Sequence, residues 1–227
     1  MNNSIGIKNE SSLHRTLKFQ YVGPGGKTEE AVGEYIADGI NSCGEYIEVQ
    51  TGSFGPLKKK IKEFTSCGKV RIIHPIVVSK KIEVYAQDGT FLYRRKSPKK
   101  GSPWDIFNAL LYAPELPLTK GVTIELVMAD IIEKRVKNGK GSWRRGGISI
   151  QDKELSVWHG RITLNKKADY LRFIPFKKGE EFTVSSLSQQ TGIKKPTVQK
   201  ALYVLTKMKL VKRVCKKKNA WIYEKNS

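Results

Sequence analysis

The sequence predicts an α/β (α+β) body, a mixed sheet flanked by helices, followed by a small module of two helices and a hairpin. Three observations carry this expectation. Apolar residues recur at helical spacing around Leu13 and Leu17 and again from Phe54 to Phe64. Between and after these helices lie β-rich runs, with no internal repeat. From Phe182 onward the pattern changes to two short helices and two strands.

In chain order, Asn9 to Tyr21 is expected as the first helix, ended by the turn residues Gly23-Pro-Gly-Gly26. Tyr35 to Asn41 and Glu45 to Gln50 form two strands of a tight hairpin joined at Asn41-Ser-Cys-Gly44. Phe54, Leu57, Ile61 and Phe64 mark the buried stripe of an amphipathic helix running to about Ser66. Val70 to Val78 reads as a core strand, and Ile82 to Ala86 with Thr90 to Tyr93 reads as another hairpin, turning at Gln87-Asp-Gly89. A short helix over Asp105 to Tyr112 is introduced by Ser102-Pro103, and Val122 to Ile132 is a long strand. Gly139 to Gly147 is a basic, glycine-rich loop, followed by strand candidates at Gly147 to Ile150 and Leu155 to Trp158.

Near Asn165 to Phe176 the character of the chain shifts, dividing it into residues 1–165 and 166–227. Phe182 to Gly192 is a capped helix, and Pro196 suits the first turn of the next. Val198, Ala201, Leu202, Leu205 and Met208 form the buried face of that second helix. The strands Leu210 to Cys215 and Ala220 to Tyr223, around Lys216-Lys-Lys-Asn219, complete a winged helix-turn-helix pattern. The helix from Lys195 to Met208 would be its recognition helix.

Composition bounds the function. The 227 residues are enough for one ordinary domain and a small appendage, and 39% hydrophobic content is compatible with a core. No apolar run approaches a membrane span and the N-terminus lacks the pattern of a signal peptide, so a cytoplasmic location with no membrane contact is expected. Cys43, Cys67 and Cys215 are too few and scattered for a disulfide framework or a cysteine zinc site. A formal charge of +21 points to a polyanionic partner, with nucleic acid first. The basic clusters lie mostly after residue 57, whereas the first hairpin carries acids.

That hairpin holds the candidate chemistry. Alternation puts Ile36, Asp38 and Ile40 on one face of its first strand, and Glu48 with Gln50 on one face of its second. A register bringing Asp38 beside Glu48 would gather two carboxylates and an amide, a set of oxygen ligands suited to Mg²⁺. The plainer alternative is a solvated face on which both acids pair with lysines. Gly23-Pro-Gly-Gly-Lys-Thr28 lacks the spacing of a phosphate loop, which excludes nucleotide hydrolysis by that route.

Helix, strand with Asp, Glu-x-Gln on the next strand and then a basic helix is similar to the PD-(D/E)XK nuclease superfamily, with its restriction-endonuclease-like fold. Asn9-Glu-Ser-Ser-Leu-His14, Ile47-Glu-Val-Gln-Thr-Gly-Ser-Phe54 and Arg94-Arg-Lys-Ser-Pro-Lys-Lys-Gly101 further resemble a prokaryotic family of uncharacterised nuclease-like proteins with a C-terminal helix-turn-helix. The resemblance implies that Asp38 and Glu48 hold Mg²⁺ (or Mn²⁺), that the Val49 carbonyl completes the site, and that Glu10 adds a carboxylate. Glu29 competes with Glu10, and Glu10 reads equally well as a helix-start acid. His14, one turn beyond Glu10, reads either as a contact to water or phosphate or as a helix-surface residue. Gln50 stands where the superfamily usually has Lys; an amide orients water, whereas an ammonium also stabilises developing charge.

Several basic segments are expected on DNA. Lys58, Lys59 and Lys62 lie off the apolar face of their helix; Arg94, Arg95, Lys96, Lys99 and Lys100 read as a loop clamping phosphates or as a solvated hairpin end; and Trp143, Arg144 and Arg145 suit groove insertion or stacking, or equally a core Trp beside surface arginines. In the C-terminal module, Lys194, Lys195, Lys200, Lys216 and Lys217 face phosphates while Thr197 and Gln199 suit base edges. The expected function is a Mg-dependent endodeoxyribonuclease acting on duplex or structured DNA, of restriction type. Its rival is an inactive nuclease fold serving as a DNA-binding regulator or accessory factor. One active site per chain implies a homodimer or sequential nicks for double-strand cleavage.

Overall fold

The computed structural model describes residues 10–141 and 146–226. It is a mixed α/β structure built on a seven-stranded sheet flanked by helices. Trp143, Arg144 and Arg145 lie outside the described residues.

Helix α1 spans Ser12–Val22; the Ser11 hydroxyl accepts the His14 backbone N–H at its start, and Gly23, with φ of 63°, ends it. An unexpected strand follows, β1 at Lys27–Val32, which pairs antiparallel with β2 at Tyr35–Ile40. The acidic hairpin is therefore the second half of a three-stranded meander, and Glu29 lies within a strand instead of upstream of the first. β3 spans Tyr46–Val49 and reverses from β2 through the Asn41–Gly44 turn. The Asn41 side-chain oxygen accepts the N–H groups of Cys43 and Glu45 in that turn.

Helix α2, Leu57–Cys67, buries Leu57, Ile61 and Phe64 as its spacing requires. It returns the chain so that β4 lies parallel to β3. β4 is one strand from Val70–Tyr85, joining two segments expected to be separate, with a bulge between Val77 and Ser79. β5, Phe91–Lys96, pairs antiparallel with its far end. Arg94, Arg95 and Lys96 are consequently strand residues, and only Ser97 to Gly101 is the expected loop. A turn of 3-10 helix at Pro103–Asp105 leads into α3, Ile106–Leu110, both packed against the sheet.

β6, Val122–Lys137, pairs parallel with β4 along its length, and β7, Ile148–Leu164, closes that side antiparallel. β7 fuses the two strands expected at 147–150 and 155–158. α4 (Lys167–Leu171), α5 (Val184–Thr191), α6 (Lys195–Lys207) and the hairpin of β8 (Val211–Lys217) and β9 (Ala220–Lys225) complete the chain. All five residues expected on the buried face of α6 are buried, and Val204 joins them.

The sheet separates two apolar clusters. Leu13, Leu17 and Val22 of α1 pack with Ile47, Val49, Ile73 and Val127, while α2 and α3 share the other cluster with Val70, Ile72, Ile76 and Ile124, and α6 packs in turn on α3. Odd and even positions of β4 thus face opposite layers, as a pleated strand buried on both sides demands. Full burial of each large side chain stabilises by roughly 1.5–3 kcal/mol. Among the described residues, no helix is long and apolar enough to cross a membrane.

Candidate active site

β2 and β3 make only two rungs, Gly39 with Ile47 and Ile40 with Tyr46, before they splay. Asp38 and Glu48 are the next residues along, where no rung forms. Where the backbone ladder stops, the Asp38 carboxylate takes over: its Oδ2 accepts the Val49 N–H at 2.7 Å. The two acids therefore meet at a seam in the sheet, and each is approached by cations from a different helical layer.

From α1 comes His14. Its Nε2 lies 3.3 Å from Asp38 Oδ2 and its Nδ1 2.6 Å from Glu10 Oε1, so the imidazole bridges the two carboxylates. Burial pulls the His14 pKa down, but hydrogen bonds and charge from Asp38 and Glu10 outweigh it and raise the value to about 9. The imidazolium is thus charged at neutral pH. Lys18, one further turn along, lies 2.9 Å from Glu10 and 2.6 Å from Glu29. Burial would raise the Glu10 carboxyl, yet Lys18 and His14 together hold it below its ordinary value. Glu10 and Glu29 are joined through one lysine, with Glu10 the member that reaches the site through His14.

From α2 comes Lys60. Its Nζ lies 2.7 Å from both oxygens of Glu48 but meets hydrogen-bond geometry only at Oε1, so the buried Oε2 has no hydrogen-bond partner among the described residues. Burial, then the neighbouring Asp38 charge, push the Glu48 carboxyl up to about 7 against the pull of Lys60. Asp38 moves the other way: burial is its largest influence and raises it, but His14, the Val49 N–H and the Lys60 charge hold it below its usual range. Adjacent carboxylates with diverging proton affinities are characteristic of functional sites.

Lys60 is the residue that the sequence did not single out. Three positions beyond Leu57, it sits on the flank of the α2 apolar stripe, and that phase alone could have marked it as inward-leaning. Gln50, in contrast, is turned away: its Nε2 donates to the Ser53 carbonyl at 2.5 Å, and its own carbonyl meets His74 Nδ1 at 2.5 Å. A lysine ammonium thus reaches Glu48 from a helix, while the amide expected beside it stabilises the following turn.

The basic candidates fall into separate zones. Lys58, Lys59 and Lys62 are exposed on α2, and Arg95, Lys96, Lys99 and Lys100 are exposed along β5 and the loop after it. Arg94 is half-exposed and bonded to Glu83 at 2.6 Å. Lys194, Lys195, Gln199 and Lys216 are exposed in the C-terminal module, and Thr197 is partly buried. Lys217 lies 3.5 Å from Glu181. Lys200 turns to the body, donating to Asn108 Oδ1 at 2.8 Å, which removes it from the set free for phosphates.

Fold and site together define a mixed α/β protein with a charged carboxylate seam between two inner strands of its sheet. The chain belongs to the family described as "Domain of unknown function (DUF8091)", whose model matches residues 11–165. It is similar to an uncharacterized protein of Treponema pallidum (strain Nichols), with 26% identity over 191 residues covering 84% of this chain and 76% of the relative. No solved structure matches the chain.

Proposed function

We propose that the protein is a metal-dependent endodeoxyribonuclease of the PD-(D/E)XK kind. The observation that carries this reading is the seam itself: Asp38 beside Glu48, a buried Glu48 oxygen without a hydrogen-bond partner among the described residues, and the Lys60 ammonium 2.7 Å away. The donor set fits a hard cation such as Mg²⁺ or Mn²⁺, which takes carboxylate and carbonyl oxygens and retains waters for the remainder. Asp38, Glu48 and the Val49 carbonyl would hold it, and its contribution would be to polarise a phosphoryl oxygen and acidify the attacking water.

The chain's own groups account for the rest. His14 fixes Asp38 in its ionised form and Glu10 fixes His14. Lys60 takes the part of the ammonium missing at position 50, donating to the oxygen on which negative charge develops as water attacks phosphorus. Breaking the P–O3′ bond would leave a 5′-phosphate and a 3′-hydroxyl. The C-terminal helices and hairpin act in this reading as a winged helix-turn-helix that seats duplex DNA, with α6 in the major groove and the Lys216–Lys218 turn as the wing.

The test is plasmid cleavage with Mg²⁺ or Mn²⁺ by the wild type, Asp38→Ala and Glu48→Ala. Cleavage by the wild type alone supports the site; equal activity in all three rejects it. The bond between Gln50 and Ser53 favours one rival, a DNA-binding accessory factor, and tight salt-dependent binding without turnover under either metal would select it.

A further inference from the structure

The sheet is interrupted next to the carboxylate seam. β3 pairs with β4 only from Val70 to Ile73, and β5 joins the same edge only from Lys81 onward. Between them, Pro75 to Lys80 have β6 on one side and, among the described residues, no strand on the other. Pro75 suits this edge, because alternation directs its missing N–H into the gap, where no ladder bond is lost. The far end is closed by the Gly101 N–H on the Val77 carbonyl. A Cβ on Gly101 would collide with that carbonyl, so the closure requires glycine.

The gap opens into a cavity of about 350 Å³ whose near wall is Thr51–Ser53, the turn that follows Glu48 and Gln50. Pro75, Val77 and Ala109 give it apolar lining, and Lys99 and Lys153 stand among its lining groups with Asp105 and with Glu133, whose carboxylate is paired with Lys80 and Arg135. His74 also lines it. The His74 Nδ1 faces the Gln50 carbonyl, which can only accept, so Nδ1 carries the proton and Nε2 keeps a lone pair. Asn108, fixed between Asp105 and Lys200, adds an oriented amide.

We infer that this cavity receives a single nucleotide extruded from the DNA strand beside the scissile phosphate, an assignment that rests on the nuclease reading of Asp38 and Glu48. Pockets for small ligands begin at roughly 300 Å³, so this one suits a nucleotide and is too small for a stacked duplex. The apolar lining matches the faces of a base, the His74 lone pair and the Asn108 amide match the polar edge of one, and the lysines match its flanking phosphates. Extrusion costs least where a base is already unpaired or mispaired. The substrate class is therefore DNA carrying an unpaired or weakly paired nucleotide at the cut site.

The test uses the full chain in EDTA, so that its outcome is independent of cleavage. The probes are a duplex with one unpaired 2-aminopurine, the fully paired duplex of the same sequence, and free 2-aminopurine deoxynucleoside monophosphate. The unpaired probe should bind about tenfold more tightly than the paired one, a difference of about 1.4 kcal/mol. Its fluorescence should become shielded from acrylamide. Thr51→Trp, an exposed substitution at the mouth, should abolish both the preference and the shielding while paired-duplex binding persists, and Lys99→Ala should weaken both. Equal affinities with an unshielded probe would overturn the assignment, as would shielding of the free nucleotide alone. Failure here with intact plasmid cleavage would leave the nuclease reading standing; the converse would remove the nuclease and retain the pocket.

Discussion

Replacing Glu48 by Gln should make the protein more stable at pH 8 while abolishing DNA cleavage. Burial and Asp38 move this carboxyl from the usual 4.5 to about 7, with the attraction of Lys60 already included. A displacement of that size corresponds to about 3 kcal/mol, at about 1.4 kcal/mol per pH unit. The sign follows from proton binding. Between 4.5 and about 7 the folded state holds a proton that the unfolded state has released, so stability present below pH 4.5 is lost as pH rises through about 7. An uncharged amide of the same shape escapes that loss. The gain should approach about 3 kcal/mol at pH 8, or roughly 6–12 °C in Tm for a chain of this size, and vanish near pH 4. Urea unfolding of wild type and Glu48→Gln at pH 4, 6, 7 and 8 measures it. If the variant were no more stable at pH 8, Glu48 and Lys60 would be an ordinary stabilising ion pair and the argument for a strained functional carboxylate would fail.

Three further outcomes follow from the same geometry. His14→Ala should destabilise the protein by about 1 kcal/mol after solvent screening, fully so below pH 6.5 and progressively less as pH rises through about 9, measured by urea unfolding across that range. Lys60→Met should lower plasmid cleavage by about 100-fold or more while Gln50→Ala lowers it less than tenfold, the opposite order to that expected if the residue at position 50 were the charge stabiliser. Lys216→Ala should weaken binding to any duplex sequence alike and reduce the slope of log K against log salt by about 1, read by fluorescence anisotropy between 50 and 200 mM salt.

What could be read from the sequence depended on how local each feature is. Leu13, Leu17, Leu57, Ile61 and Phe64 mark their helices because burial follows a 3.6-residue period within a few turns. Strand ends were harder. β1 carries Lys27-Thr-Glu-Glu on an exposed edge, and Glu29, with φ of 56°, breaks the alternation that would have revealed it. β4, β6 and β7 were read as shorter or divided strands because bulges shift their alternation, at Val77/Ser79 in β4 and at Met128/Ala129 and Asp130/Ile131 in the ladder between β6 and β7. The register that carries Asp38 toward Glu48 is legible, since a short turn fixes how a hairpin pairs, here Gly39 with Ile47 and Ile40 with Tyr46. Neither the approach of Lys60 nor the rotation of Gln50 is, because one depends on how α2 packs across the sheet and the other on a carbonyl three residues ahead.

The seam also shows why its cations arrive from helices. Burial of Glu48, and after it the neighbouring Asp38 charge, raises one proton affinity of the pair. Lysine at position 50 would supply compensation from the same strand, fixed in place as soon as the hairpin forms. Here the compensation comes from His14 on one side and Lys60 on the other, so the charge balance is complete only when α1 and α2 have both packed on the sheet. The same arrangement leaves the Gln50 side chain free to donate to the Ser53 carbonyl, beside the Gln50 backbone carbonyl that meets His74. With its charge compensated from α2, the carboxylate seam adjoins the cavity through the Gln50–Ser53 bond. A Gln50→Lys substitution would place a second ammonium near Glu48 but break the Gln50–Ser53 bond at that wall. Rescue of Lys60→Met cleavage on paired DNA by Gln50→Lys, without restored preference for an unpaired nucleotide, would separate the two roles.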